Sequence, residues 1–145
     1  MIAIASDHAG FELKEKTKRL LDDLKLAYKD FGTYSEEPCD YPDYAFPAAK
    51  SVSTGECEKG IVICGSGIGA NIVSNKVDNV RAALCMTAEM AELSRKHNNA
   101  NVLNLGGRLV EWERAEEIIK VWLTTPFEGG RHERRVEKIR TLCGC

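Results

Sequence analysis

The residues best placed to do chemistry lie in one stretch, CGSGIGAN, Cys64–Asn71. Gly65, Gly67 and Gly69 lack Cβ atoms, so successive backbone N–H groups can turn into one concavity. A helix beginning at Ile68, with Ala70 in its first turn, adds the positive end of its dipole. Such a nest holds a phosphate, a carboxylate or a developing oxyanion. Cys64 is the last residue before it. A thiol in that positive field is expected to ionise below its reference of about 8.5 and to act as nucleophile or base. The bland alternative is a buried inert cysteine, as expected for Cys85. Ser66 puts a hydroxyl inside the loop, as an oxyanion donor or simply as a small turn residue. Gly65, Gly67 and Ala70 also fit the loose dinucleotide pattern G-x-G-x-x-G/A. That match is weak: it follows a middle strand, no acidic residue closes the next strand, and little chain is left for a substrate domain.

Other candidates lie elsewhere in the chain. Asp7 and His8 end the first apolar run. Neighbours on a strand end point in different directions, so they form no simple dyad; either reaches a ligand, the bland alternative being helix capping by Ser6 or Asp7. His97 and Asn98, in RKHNNAN, end a polar helix, where a histidine also suits the dipole. Arg131 and Arg135 share one face of the last helix, behind Gly129 and Gly130. Two guanidiniums there suit a phosphate dianion, or form a solvated stripe. His8, His97 and His132 show no H-x-x-x-H spacing and the cysteines no C-x-x-C, so no metal site is expected. The final CGC offers a redox or metal hint at Cys143 and Cys145, or two thiols on a frayed end.

These residues must be positioned by alternating strands and helices. MIAIAS, LAYKDFG (26–32), GIVICG (60–65), VRAALC (80–85) and NVLNLGG (101–107) read as strands. GIVICG is apolar throughout, as a parallel strand buried on both faces should be. Phe11, Leu13, Thr17, Leu20, Leu21 and Leu24 recur at helical spacing. TYSEEPCDYPDY reads as a loop, followed by a helix in AFPAAKSVSTGE with an early proline. Helices follow in IGANIVSNKV, TAEMAELSRKHN and VEWERAEEIIKVWL, and an exposed charged helix runs from about 130 to 142. The expectation is one Rossmann-like α/β/α domain over residues 1–145, with a five-stranded parallel sheet. Ligands bind such sheets at the carboxyl ends of the strands: Ser6–His8, the loop around Tyr41, Gly65–Ala70 and the Gly106–Arg108 turn.

Composition narrows the class. The 145 residues carry 20 Lys plus Arg against 22 Asp plus Glu, a net charge of −2 that disfavours nucleic-acid and membrane-surface partners. No apolar run approaches the roughly 20 residues of a membrane span. The N-terminus has no basic leader, so the six cysteines are expected to be reduced thiols in a cytoplasm.

In their order along the chain, IASDHAGFELK, GTYSEEPCDYPDYA, ICGSGIGANIVSNK, VRAALC, RKHNNANVLNLGGR and PFEGGRHERRVEKI resemble the type B ribose-5-phosphate isomerase family. That family also includes galactose-6-phosphate and allose-6-phosphate isomerases. The resemblance covers nearly the whole chain. It implies a cofactor-free aldose–ketose isomerisation of a sugar phosphate, favouring ribose 5-phosphate over six-carbon sugars. It also implies a homodimer, or a dimer of dimers, whose active sites draw on both subunits. By resemblance Cys64 is the proton-shuttling base. The amides of Gly65, Gly67, Ile68, Gly69 and Ala70, with Ser66, stabilise the enediolate. His97 moves protons in ring opening, and Asp7 and Asn98 bind sugar hydroxyls. Tyr41 lines the pocket, and His8, Arg108, Arg131 and Arg135 hold the phosphate. Many members carry threonine at position 66. Some lack the cysteine and use a glutamate a few residues later, where this chain has Ala70 and Asn71. Two other readings compete: a non-catalytic sugar-phosphate-binding subunit, and a small nucleotide-binding redox protein.

Overall fold

In the computed structural model, which describes residues 1–143, the apolar run expected at the centre of the sheet is there. β3 (Lys59–Cys64) is buried from Gly60 onward. It pairs in parallel with β1 (Ile2–Ser6) on one side and β5 (Val102–Gly106) on the other. β2 (Tyr28–Asp30) and β4 (Ala82–Leu84) close the edges, giving a five-stranded parallel sheet in the order β2-β1-β3-β5-β4.

Alternation along β3 feeds two cores. Ile61 and Ile63 face the layer of α1 (Phe11–Asp23), α4 (Ala88–Asn98) and α5 (Trp112–Thr124), where they meet Leu20, Leu21, Ala91, Ile118 and Ile119. Val62 and Cys64 face the layer of α2 (Pro42–Ser53) and α3 (Ile68–Asn75). Each fully buried Leu or Ile contributes roughly 2 kcal/mol of apolar burial. The second layer is built from small residues, Ala3, Ala5, Ala45, Ala48, Ala49 and Ala70, so its helices lie close to the sheet. α6 (Arg131–Cys143) packs on α4.

Chain direction places the candidate site. From β1 the chain crosses outward to β2, then returns to the other side of β1 to form β3. The crossovers therefore diverge between β1 and β3, and a crevice opens above their carboxyl ends. Asp7 follows β1 there and Gly65 follows β3.

Some boundaries differ from expectation. Pro42 and Asp43, expected in a loop, start α2 three residues before Ala45, with Pro42 in the first turn. Proline and aspartate both favour a helix start, so the composition of DYPDY fits either role. Pro47 consequently lies inside the helix. β2 and β4 are three residues each, shorter than their apolar runs.

The Lys14 side chain, on α1, is fully buried. Its Nζ donates to both carboxylate oxygens of Asp30, at 2.6 and 2.7 Å, and to the Thr33 carbonyl at 2.6 Å. Lys18 donates to Asp30 at 2.9 Å. Burial alone would raise the Asp30 carboxyl. Lys14, the Gly32 amide and Lys18 together hold it below the usual carboxylate range. The group ties α1 to the end of β2. Among the described residues, Cys39, Cys57, Cys64 and Cys85 are in no disulfide, and no helix is long and apolar enough to cross a membrane. Cys145, and with it the expectation for the terminal pair, lies outside the described residues.

Candidate active site

A cleft of about 340 Å³ opens above the β1–β3 gap, lined by Asp7, Tyr41, Cys64, Gly65, Ser66, Gly69, Arg108 and Leu109. Cys64 is 4% exposed yet belongs to this lining, because its face of β3 ends where the alanine-rich layer ends. A larger hollow, about 540 Å³, lies beside α1 and is lined by Glu12, Glu111 and Glu113 with Lys16 and Arg108. It contains no thiol and no glycine cradle, and its carboxylates would repel a phosphate.

The cradle is fixed by sterics. Gly67 has φ +79, and a Cβ there would lie 2.5 Å from Leu84 Cδ1 and 2.9 Å from the Leu105 carbonyl carbon. Only glycine meets both demands. At Gly69 a Cβ would stand 2.6 Å from the Tyr41 ring. Tyr41 is the N-cap of α2, so the early start of that helix is what lays the ring against the cradle. The turn after β5 is tied on by Gly107 N–H, which donates to Cys64 O at 2.8 Å, and Arg108 N–H, which donates to Gly65 O at 3.0 Å. Ser66 Oγ accepts from Ile68 N–H at 3.2 Å, leaving its own proton to donate. Ile68 is 54% exposed and the Ala70 side chain is buried; the Ile68 amide is engaged by Ser66 Oγ.

Asp7 and His8 are held individually. Asp7 Oδ1 accepts from Gly10 N–H at 3.0 Å, so Asp7 both shapes the entry to α1 and lines the cleft. His8 Nδ1 accepts from Cys39 N–H at 3.1 Å. In the neutral ring this puts the proton on Nε2, which becomes a donor. A buried amide pair beneath the cradle could not be read from spacing. Asn71 Nδ2 donates to Ala82 O and to Asn104 Oδ1, at 3.0 and 3.1 Å, and the fully buried Asn104 donates to Val62 O at 3.1 Å. This pins α3, and with it the cradle, to the sheet.

The remaining candidates are not in this cleft. α4 runs back against the strands, so His97 and Asn98 lie at the amino edge of the sheet. Five residues of β5 separate the edges, roughly 15 Å at about 3.3 Å per residue. There the end of α4 is clamped by two arginines. Arg81 Nε donates to Asn98 O and Asn99 O at 3.1 Å; Arg95 donates to Thr125 O, Asn99 Oδ1 and Ala100 O at 3.2, 2.9 and 2.6 Å. Arg131 and Arg135 are exposed on α6. Within one chain, then, Asp7, His8, Tyr41, Cys64–Ala70 and Arg108 are brought to one edge, and His97, Asn98, Arg131 and Arg135 to the other.

His132 was not expected in a site. The residue is 6% exposed and its ring stacks on His97, with centroids 4.2 Å apart and 13° between planes. Its Nε2 lies 3.7 Å from Glu128 Oε1. The ligand atoms of His97, Glu128 and His132 all fall within 4.8 Å of one another, a grouping that sequence spacing did not reveal. Near-parallel rings keep their in-plane lone pairs in separate planes, so the two imidazoles as stacked do not converge on one ion.

Comparison with known proteins agrees with the architecture. The ribose/galactose isomerase family matches residues 2–139. Ribose-5-phosphate isomerase B of Escherichia coli (strain K12) is 44% identical over 141 residues, 97% of this chain and 95% of that one. The structure of Clostridium thermocellum ribose-5-phosphate isomerase B superposes with a TM-score of 0.97 at 45% identity, covering 99% of this chain and 97% of that one. Ribose-5-phosphate isomerase B from Mycoplasma genitalium, solved with bound ribulose-5-phosphate, superposes at 0.94 with 41% identity, covering 99% and 95%.

Proposed function

The chain belongs to the ribose/galactose isomerase family and is an aldose–ketose isomerase of the ribose-5-phosphate isomerase B type; on that premise we propose that it interconverts ribose 5-phosphate and ribulose 5-phosphate through a cis-enediolate, with Cys64 as the base. The Cys64 thiolate takes the proton from C2 of the open-chain aldose and returns it to C1, while the proton of the C2 hydroxyl passes to the C1 oxygen. One carbon is oxidised and its neighbour reduced within the same skeleton, so no electron acceptor is required. Charge that develops on the sugar oxygens meets the Gly65–Ala70 amides and the Ser66 hydroxyl. Donors of this kind are each worth about 3 kcal/mol of barrier.

Asp7 binds a sugar hydroxyl, Tyr41 walls the pocket, and His8 Nε2–H and Arg108 take the phosphate. His97, Asn98, Arg131 and Arg135 serve the site of a second copy in a homodimer, where His97 transfers protons in ring opening. Their position at the far edge, roughly 15 Å from the cleft, supports this assembly. The reduced state of Cys57, Cys64 and Cys85 suits a cytoplasmic enzyme.

The observation that carries the reading is Cys64 lining a cleft with a glycine cradle and an arginine. Turnover of ribose 5-phosphate, allose 6-phosphate and galactose 6-phosphate, measured side by side on the purified chain, tests it. The expected result is fastest turnover of the pentose. Faster turnover of a hexose moves the substrate class, and no turnover of any leaves a binding subunit.

A further inference from the structure

We infer that His132 is a positioning residue for His97 and its proton-sharing partner, and that an anion seated on Arg131 and Arg135 sets how many protons the pair holds. This rests on the reading that His97 moves ring protons and that the two arginines take phosphate.

The geometry is that of a pair. His97 ends α4, and His132 is the second residue of α6, 35 positions later. Gly129 and Gly130, both at positive φ, turn the chain so that the second ring lands on the first. The stack restricts rotation of the half-buried His97 ring, which α4 alone would leave free. It also sets charge against charge: imidazolium rings with centroids 4.2 Å apart repel, so a charge on His97 opposes protonation of His132.

The charges facing His132 come from three segments. These are His97 of α4, Glu128 of the connecting loop, and Arg131 and Arg135 of α6. Burial, His97 and the arginines hold the His132 imidazole below its ordinary range, against the pull of Glu128. A dianion on Arg131 and Arg135 cancels part of that positive field. The arriving phosphate therefore draws a proton onto the pair, and the pair becomes an acid as the cyclic sugar that needs one is bound.

The test uses the full chain, with sulfate as the probe because it does not itself titrate near neutrality. Calorimetry at pH 6.5, in two buffers of different ionisation enthalpy, is expected to show proton uptake on sulfate binding. Sulfate bound without proton uptake overturns the inference alone; failure to bind sulfate overturns the phosphate assignment as well. Imidazole NMR gives a second readout. His97→Asn is expected to raise the His132 midpoint by about half a unit or more, since it removes the competing proton site. An unmoved midpoint in folded protein contradicts the pairing. In kinetics, His132→Phe keeps a stacked ring but no proton. It is expected to shift the acid limb of the kcat profile by about half a unit with KM within about twofold, whereas His132→Ala also lowers kcat about tenfold. A profile identical to wild type in His132→Phe assigns His132 a structural role only.

Discussion

The two edges of the sheet are built on opposite plans. At the carboxyl edge the chemistry is made by what is missing: glycines without Cβ atoms, a short turn and a thiol at the end of a packed strand. Backbone groups form the cradle, and the amides of Asn71 and Asn104 hold them from below. At the amino edge the chemistry is made by long side chains, two imidazoles and two exposed guanidiniums, and the backbone beneath is tied down by Arg81 and Arg95. The first edge can stabilise charge on a reacting sugar. The second can donate protons and grip a phosphate. The thiol and the cradle stand at one edge and the stacked imidazoles at the other, and a single chain keeps them roughly 15 Å apart.

The comparison is broken most decisively by mixing variants. Cys64→Ala and His97→Asn chains are each expected to be nearly inactive. Mixed under conditions that allow subunit exchange, they should recover about a quarter of wild-type activity, because hybrid dimers hold one intact site. A mixture that stays inactive despite verified hybrid formation means that both residues serve one chain's site.

A stability test comes next. Asp30→Asn strands the buried Lys14 ammonium and is expected to cost about 3 kcal/mol in urea unfolding. The pH dependence has a definite sign. The Asp30 carboxyl is held below its unfolded value, so its contribution is fully present above the unfolded pKa of about 3.9. It is lost as pH falls through the lower folded value. Wild-type stability should therefore fall more steeply than that of Asp30→Asn as the solution is acidified below about pH 4. Parallel curves for the two proteins argue against the linkage.

Gly67→Ala sharpens the claim that the cradle is steric. Strain at φ +79 and the clash with Leu84 and Leu105 should cost about 1–3 kcal/mol and most of the activity. A variant of normal stability and turnover shows the loop to be more tolerant than its geometry. Smallest of all is Ser66→Thr. It keeps the hydroxyl on a stiffer side chain, so a change in kcat within about threefold is expected. A loss beyond tenfold means that the methyl intrudes on the sugar.

Much of the carboxyl edge was legible before any coordinates. Alternating glycines after an apolar run leave few conformations, and local sequence records them. The sheet was legible for the same reason, since both faces of β3 must be covered. The fold pointed to the loop around Tyr41 and the resemblance to Tyr41 as a pocket residue, but its contact with Gly69 was hidden, because that depends on where α2 begins, and proline with aspartate suits a loop or a helix start equally well. The burial of Lys14 was not legible locally, because a buried lysine needs a partner and Asp30 is 16 residues away. The His97–His132 stack was invisible in the same way: each histidine is unremarkable in its own helix, and only tertiary packing makes a pair of them.

Cys64 and Cys85 supply an internal control. Burial pushes the Cys85 thiol up to about 11, and Cys85 lines neither cleft described above, so Cys64 should be alkylated before Cys85 by iodoacetamide, with ribose 5-phosphate protecting it. The most direct measurement of the central claim is exchange of the C2 proton of ribose 5-phosphate with deuterated water by Cys64→Ala, alongside the variant's affinity for the sugar phosphate. The expected result is exchange slowed by about 10²–10⁴-fold with affinity nearly unchanged. Exchange at the wild-type rate would show that another group removes the proton.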